Sequence, residues 1–83
     1  MEKVLVGIHV PSVKTKYDAF VPLDVAISEL TAIISDAFYE LTNGKYEVSN
    51  FEMLSLEESK MLLDPKLTLR DYCIEDGMQL FLI

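Results

Sequence analysis

One stretch of this chain carries the period of an amphipathic helix. Ile27, Leu30, Ile34, Ala37 or Phe38, and Leu41 fall at helical spacing. Asn43-Gly44 follows as a strong stop, because both residues tolerate the left-handed conformation that ends helices. Asp24 stands just ahead as a candidate N-cap, with Ser28 and Glu29 in the first turns. The spacing predicts a helix from Val25 to Thr42. A helix with one apolar stripe must bury that stripe against something. With a single helix the partner has to be a sheet, and the opposite sheet face is then left to solvent.

The rest of the chain supplies the strands. Val4 to Val10 is β-branched and alternating, with Val4, Val6, Ile8 and Val10 on one face. Pro11 to Thr15 is a turn. Lys16 to Val21 reads as the return strand, with Tyr17, Ala19 and Val21 inward and Pro22 as its stop. Phe51 to Leu56 reads as a third strand and Glu57-Glu58-Ser59 as a turn. Met61-Leu62-Leu63 is a short apolar run, ended by Asp64-Pro65. Leu67 to Tyr72 is a brief helical turn capped by Thr68. After a turn at Asp76-Gly77, Met78 to Ile83 forms the last strand, with Leu80 and Leu82 inward. The expected class is α+β: a mixed sheet of four to five strands, one main helix across one face, and a short helical turn before the last strand. Linkers, repeats and low-complexity segments are absent from the sequence, so residues 1–83 are expected to form a single domain.

The stretch from Leu63 to Leu80 contains Asp64, Thr68-Leu69, Asp71-Tyr72, Ile74, Gly77 and Leu80. It resembles the segment of ubiquitin-like proteins that reads L-x-D-x-x-T-L-x-D-Y-x-I-x-x-G/S-x-x-L. The resemblance implies a ubiquitin-like β-grasp in which Leu69 and Ile74 plug the core and the Tyr72 hydroxyl locks the loop near Asp64. The segment Tyr17 to Leu30, with Val21-Pro22, Asp24 and Glu29-Leu30, is similar to the V-P-x-D-x-x-x-x-E-L segment of YukD-type proteins. These are small ubiquitin-like proteins of Gram-positive type VII secretion systems. That resemblance implies a cytoplasmic accessory role in the export of small helical-hairpin substrates, through contact with other secretion components. The alternatives are a generic ubiquitin-like scaffold domain from a larger protein and a ubiquitin-like modifier lacking its Gly-Gly tail.

Composition removes several other roles. At 83 residues and 51% hydrophobic, the chain can fill a thin core and is too apolar to remain disordered. The formal charge is -7, and the seven basic residues are scattered, which argues against a phosphate-binding surface for nucleic acid. The acidic surplus reads as a solvated surface. Cys73 is the only cysteine and His9 the only histidine, so neither a disulfide within the chain nor a Cys/His metal centre can form. No cofactor is expected. The N-terminus lacks the pattern of a signal peptide, and no apolar stretch is long enough to span a membrane. Conjugated modifiers need a flexible Gly-Gly tail, and no glycine follows Gly77, so conjugation by that route is not expected. Neither a nucleophile–base pair nor a phosphate-cradling glycine loop is present, and the expectation is binding without catalysis.

Strand alternation puts Leu5, Gly7 and His9 on the outward sheet face, together with Phe20, Phe81 and Ile83. If the hairpin pairs as in ubiquitin, Leu5 lies opposite Phe20, and Phe81 lies near His9. Adjacent exposed apolar side chains can mark a contact surface. Leu5, His9, Phe20, Phe81 and Ile83 are therefore the candidate protein-binding surface. His9 is expected to face solvent, Cys73 to be an inert and partly buried thiol, and Met53, Met61 and Met78 to fill the core or its rim. A one-residue register slip would exchange the two faces.

Overall fold

Alternating β-branched residues form the central strand β1, Lys3–Val10, in the computed structural model, which describes residues 2–49 and 51–83. Met1 and Asn50 lie outside the described residues. Val4, Val6, Ile8 and Val10 all point into the core, as the alternation requires. A 3-10 turn, Pro11–Val13, and Lys14 in the left-handed conformation (φ 51) reverse the chain into β2, Thr15–Pro22. β2 pairs antiparallel with β1. The first and last strands then pair parallel: β1 aligns with β4, Gln79–Leu82, and β4 pairs antiparallel with β3, Leu54–Leu56. The sheet is four-stranded in the order β2-β1-β4-β3.

Helix α1, Ile27–Leu41, lies across the inner face and buries Ile27, Leu30, Ile34 and Phe38 against the sheet. Its stop at Asn43-Gly44 is as expected. Both residues have positive φ (54 and 83), and the Gly44 N–H donates to the Tyr39 carbonyl at 2.9 Å. Its start is not. The helix begins two residues later than predicted, with Ala26 at the cap position and no side-chain cap. The first N–H groups of α1 reach across the fold instead: Ile27 donates to the Leu67 carbonyl at 2.8 Å, and Ser28 to the Pro65 carbonyl at 3.0 Å. A neighbouring loop satisfies the donors that a capping side chain would otherwise satisfy. Asp24 is thereby free to bind Arg70, whose Nε and Nη2 donate to its two carboxylate oxygens at 2.6 and 3.0 Å. These bonds hold the Asp24 carboxyl below the usual carboxylate range.

The apolar run Met61-Leu62-Leu63 does not make a fifth strand. Only Leu62 bridges to Ser55, while Leu63 is buried in the core. The third strand is likewise shorter than its apolar pattern, and Phe51 is exposed. Leu41, placed on the buried stripe, is 54% exposed at the last position of α1. The edge strand β2 buries only Val21 fully. Ala19 is half-buried, and Tyr17 is 38% exposed with its ring edge-on to Phe38 at 5.4 Å. Among the methionines, Met78 packs on the core, whereas Met53 and Met61 are exposed at the rim.

The segment before β4 follows its sequence pattern closely. Leu69 and Ile74 are buried. The Asp64 N–H donates to the Tyr72 hydroxyl at 2.8 Å. The second 3-10 turn, Arg70–Tyr72, is preceded by a reciprocal bond pair: the Thr68 N–H donates to Asp71 Oδ2 at 2.9 Å and the Asp71 N–H to Thr68 Oγ1 at 3.2 Å. Cys73 closes this turn in the left-handed conformation (φ 55) and is exposed, not partly buried. The turn sends Ile74 inward and leaves the thiol outside.

Between α1 and β3, Tyr46 anchors the chain. Its ring is buried, and its hydroxyl donates to Glu52 Oε2 at 2.9 Å. Burial, followed by this bond to a carboxylate, pushes the Tyr46 hydroxyl up to about 12. Burial would raise Glu52 as well, but the Ser49 N–H at 2.6 Å and the Tyr46 hydroxyl together hold it below its ordinary value.

Three outcomes follow from this architecture. Leu69→Ala should cost about 2–5 kcal/mol in urea unfolding. Tyr72→Phe, which removes one hydrogen bond at a loop, should cost about 1 kcal/mol. Because the folded chain holds the Tyr46 proton more tightly than the unfolded chain, this contribution is complete below the ordinary tyrosine value. It is lost as pH rises through about 12. Unfolding followed between neutral and strongly alkaline pH should show that loss in the native chain and a smaller one in Tyr46→Phe.

Candidate protein-binding surface

The outward sheet face is built in rows, because residues directly opposite on neighbouring strands share a face. One row is the Leu5–Phe20 pair, which the register places side by side as expected. Phe20 is 68% exposed and Leu5 half-buried. A second row runs Lys16, His9, Phe81, Ser55, Leu62 across all four strands and the bridge beyond β3. Here the His9 and Phe81 rings meet edge-on with centroids 5.3 Å apart, and Lys60 Nζ stands 5.4 Å from the Phe81 centroid. Ile83, 58% exposed, extends this second cluster along β4.

A polar belt divides the two clusters. Asp18, Gly7, Gln79 and Glu57 occupy the row between them. A Cβ at Gly7 would run into the end of the Gln79 side chain, whose amide lies across that position. Gln79 Nε2 donates to the Gly77 carbonyl at 2.9 Å, and its Oε1 lies 3.0 Å from His9 Nε2. Glu57 Oε2 is 3.5 Å from the same His9 nitrogen. His9 is therefore half-buried and held by neighbours on β4 and in the turn after β3, rather than standing free in solvent.

The five residues read from the sequence thus lie on one face, but in two groups. Leu5 and His9 are four residues apart on β1, so the rows are separated by about 13 Å. The structure also adds members that alternation along the main strands missed. Leu62 is 50% exposed beside a buried Ser55, and Lys60 sits over Phe81. The signal for Leu62 was its place in an apolar run. Its orientation follows only from the bridge to Ser55, which aligns their side chains and turns Leu63 to the core.

Among the described residues, no cluster of three or more His, Cys, Asp or Glu side chains could hold a metal ion, and no helix is long and apolar enough to cross a membrane. No family model and no curated protein matches the chain in sequence. Solved structures do match. The EccD5 ubiquitin-like domain from Mycobacterium xenopi is 21% identical over 100% of this chain and 94% of that domain, with a TM-score of 0.73. The ubiquitin-like domain of the Mycobacterium tuberculosis type VII secretion system protein EccD1 is 16% identical over 100% and 99% of the two chains, with a TM-score of 0.66. Ubiquitin from Caldiarchaeum subterraneum is 12% identical over 99% and 92%, with a TM-score of 0.72. The fold is a ubiquitin-like β-grasp. At these identities the likeness establishes the fold alone, and one fold serves many roles.

On this ubiquitin-like sheet, the partly exposed rings can be altered without opening the core. Phe20→Glu should shift the unfolding midpoint little, since the ring is mostly solvated. Gly7→Ala should displace the Gln79 amide. NMR of the His9 ring would show the loss of its Gln79 contact while the fold persists.

Proposed function

We propose that this chain is a ubiquitin-like protein-interaction module that acts as a cytoplasmic accessory of a type VII secretion system. It works by holding other secretion components, with no chemistry of its own. The observation that carries the reading is the outward sheet face. Two apolar clusters, Leu5 with Phe20 and Phe81 with Leu62 and Ile83, flank a fixed polar belt. Such a surface offers separate apolar contacts for one partner and a hydrogen-bonding centre for its orientation. Each aromatic anchor could contribute on the order of 1.5–3 kcal/mol before the costs of association. Support for the biological setting comes from the YukD-like segment Tyr17 to Leu30 and from the structural likeness to the EccD ubiquitin-like domains.

A generic ubiquitin-like scaffold domain is the second reading, supported by a comparable structural likeness to the Caldiarchaeum subterraneum ubiquitin. Gene neighbourhood separates the two: a secretion ATPase and small WXG-type substrates beside the gene support the first, and their absence the second. The functional test is deletion of the gene followed by measurement of substrate export. Export should fall and be restored by the native chain. Phe81→Glu should not restore it, although its circular-dichroism melt shows a folded protein. Undiminished export in the deletion strain would remove the secretion role.

A further inference from the structure

The helix side of the sheet carries a groove that the outward face does not share. Ser28, Ala32 and Asp36 recur at four-residue spacing on α1 and line one wall, and the segment 48–54 supplies the other. The groove encloses about 420 Å³. Its floor is apolar, since Ile27, Leu54 and Leu63 lie there and each is only 1% exposed. Two contacts give it a direction. The Ser28 N–H donates to the Pro65 carbonyl at 3.0 Å, so Pro65 closes the end at the start of α1. The Tyr46 ring stands 6.2 Å from that of Phe38, and its hydroxyl holds Glu52. Glu52 therefore lies toward the other end, where Asp36 also lies. From Ser28 to Asp36 the groove runs about 12 Å along the helix.

The two carboxylates at that end are unneutralised. Both neighbours that hold Glu52, the Tyr46 hydroxyl at 2.9 Å and the Ser49 N–H at 2.6 Å, bond to Oε2. They keep the carboxylate ionised against its burial, and Oε1 accepts from no other described residue. Asp36 is exposed and has no basic partner: among the described residues the ion pairs are His9–Glu57, Arg70–Glu2 and Arg70–Asp24. No Lys, Arg or His lines the groove. An apolar floor ending at two fixed negative charges complements a side chain with an apolar stem and a cationic head.

We propose that this groove takes two side chains from one face of a partner protein's helix: an aliphatic residue over Ile27 and Leu63, and, four positions away, an arginine whose guanidinium reaches Asp36 and Glu52. The arginine stem covers Ala32 and Val48. A planar guanidinium with five donors can bond two carboxylates at once, which a lysine ammonium does less well. A helix fits better than an extended segment, because β3 is already paired on both sides. It meets β4 on one, and Leu63 and Met61 on the other through bonds of 2.9 Å to Leu54 and from Leu56. An extended occupant would find no strand edge at β3 for its main chain, whereas a helix satisfies its own. A second copy is a poor occupant. Each chain carries a net charge of -7, and Arg70, the only arginine, is already held by Asp24 and Glu2.

The test titrates the full chain with an acetylated, amidated peptide, Ala-Ala-Ala-Lys-Ala-Leu-Ala-Ala-Ala-Arg-Ala-Lys-Ala-Ala-Ala-Ala. One control peptide has Gln in place of Arg, and N-acetylarginine amide is the small-molecule control. NMR should show shifts centred on Ala32, Asp36, Val48 and Leu63, and affinity should fall with added salt. Asp36→Asn and Glu52→Gln should each weaken binding about fivefold. Asp36→Asn alters an exposed position and keeps the test informative if Glu52→Gln disturbs Tyr46. Equal binding of the Gln peptide, shifts centred on Leu5 and Phe81, or absence of binding would overturn the proposal. Binding of N-acetylarginine amide as tight as that of the peptide would overturn the helical partner, and self-association of the peptide-free chain through Ala32 and Val48 would replace it by a second copy. Phe81→Glu should leave peptide binding unchanged, so failure here and failure of the secretion role are separately visible.

Discussion

The parallel pairing of the first strand with the last is the constraint on which the rest of the structure depends. Gly7, Ile8 and His9 align with Gln79, Leu80 and Phe81, residues more than seventy positions apart in an 83-residue chain. Parallel neighbours cannot be joined by a tight turn, so everything between has to cross over the sheet. The crossing chain supplies α1, which covers the inner face and buries Ile27, Leu30, Ile34 and Phe38 over Val6, Ile8, Leu80 and Leu82. The same register decides which side chains face outward. A core this small offers little redundancy, and those few fully buried aliphatic residues carry much of the stability.

The segment from Asp64 to Ile74 fastens that crossover. Leu69 and Ile74 anchor it in the core, and Tyr72 and the Thr68–Asp71 pair satisfy its backbone. Its carbonyls at Pro65 and Leu67 then serve as the cap of α1. Arg70 joins it to Asp24 and Glu2 through exposed bonds, which set geometry more than they add stability. One irregular loop thus ties the helix start, the β2–α1 connection and the entry to β4.

The outward face and the groove beside α1 differ in the kind of contact they offer. On the outward face, rings and aliphatic side chains stand on either side of the Asp18–Gly7–Gln79–Glu57 belt. In the groove, an apolar floor runs out to the carboxylates of Asp36 and Glu52.

By itself the sequence determined the periodic features. The alternation of Val4 to Val10, the stripe from Ile27 to Phe38, the Asn43-Gly44 stop and the Thr68-to-Leu80 pattern set the element order and most of the core, because each side chain's burial follows from its own period. The pairs Leu5–Phe20 and His9–Phe81 were also legible, once the hairpin and the parallel neighbour were assigned. Tertiary structure alone decided what depends on groups distant in sequence. Asp24 binds Arg70 and leaves capping to a loop, Leu62 makes a bridge instead of a strand, and Gln79 lies over Gly7 and splits the surface in two. In each case a hydrogen bond or a contact between remote segments outweighed a local preference of the same order, about 1 kcal/mol, and no local pattern records such a competition.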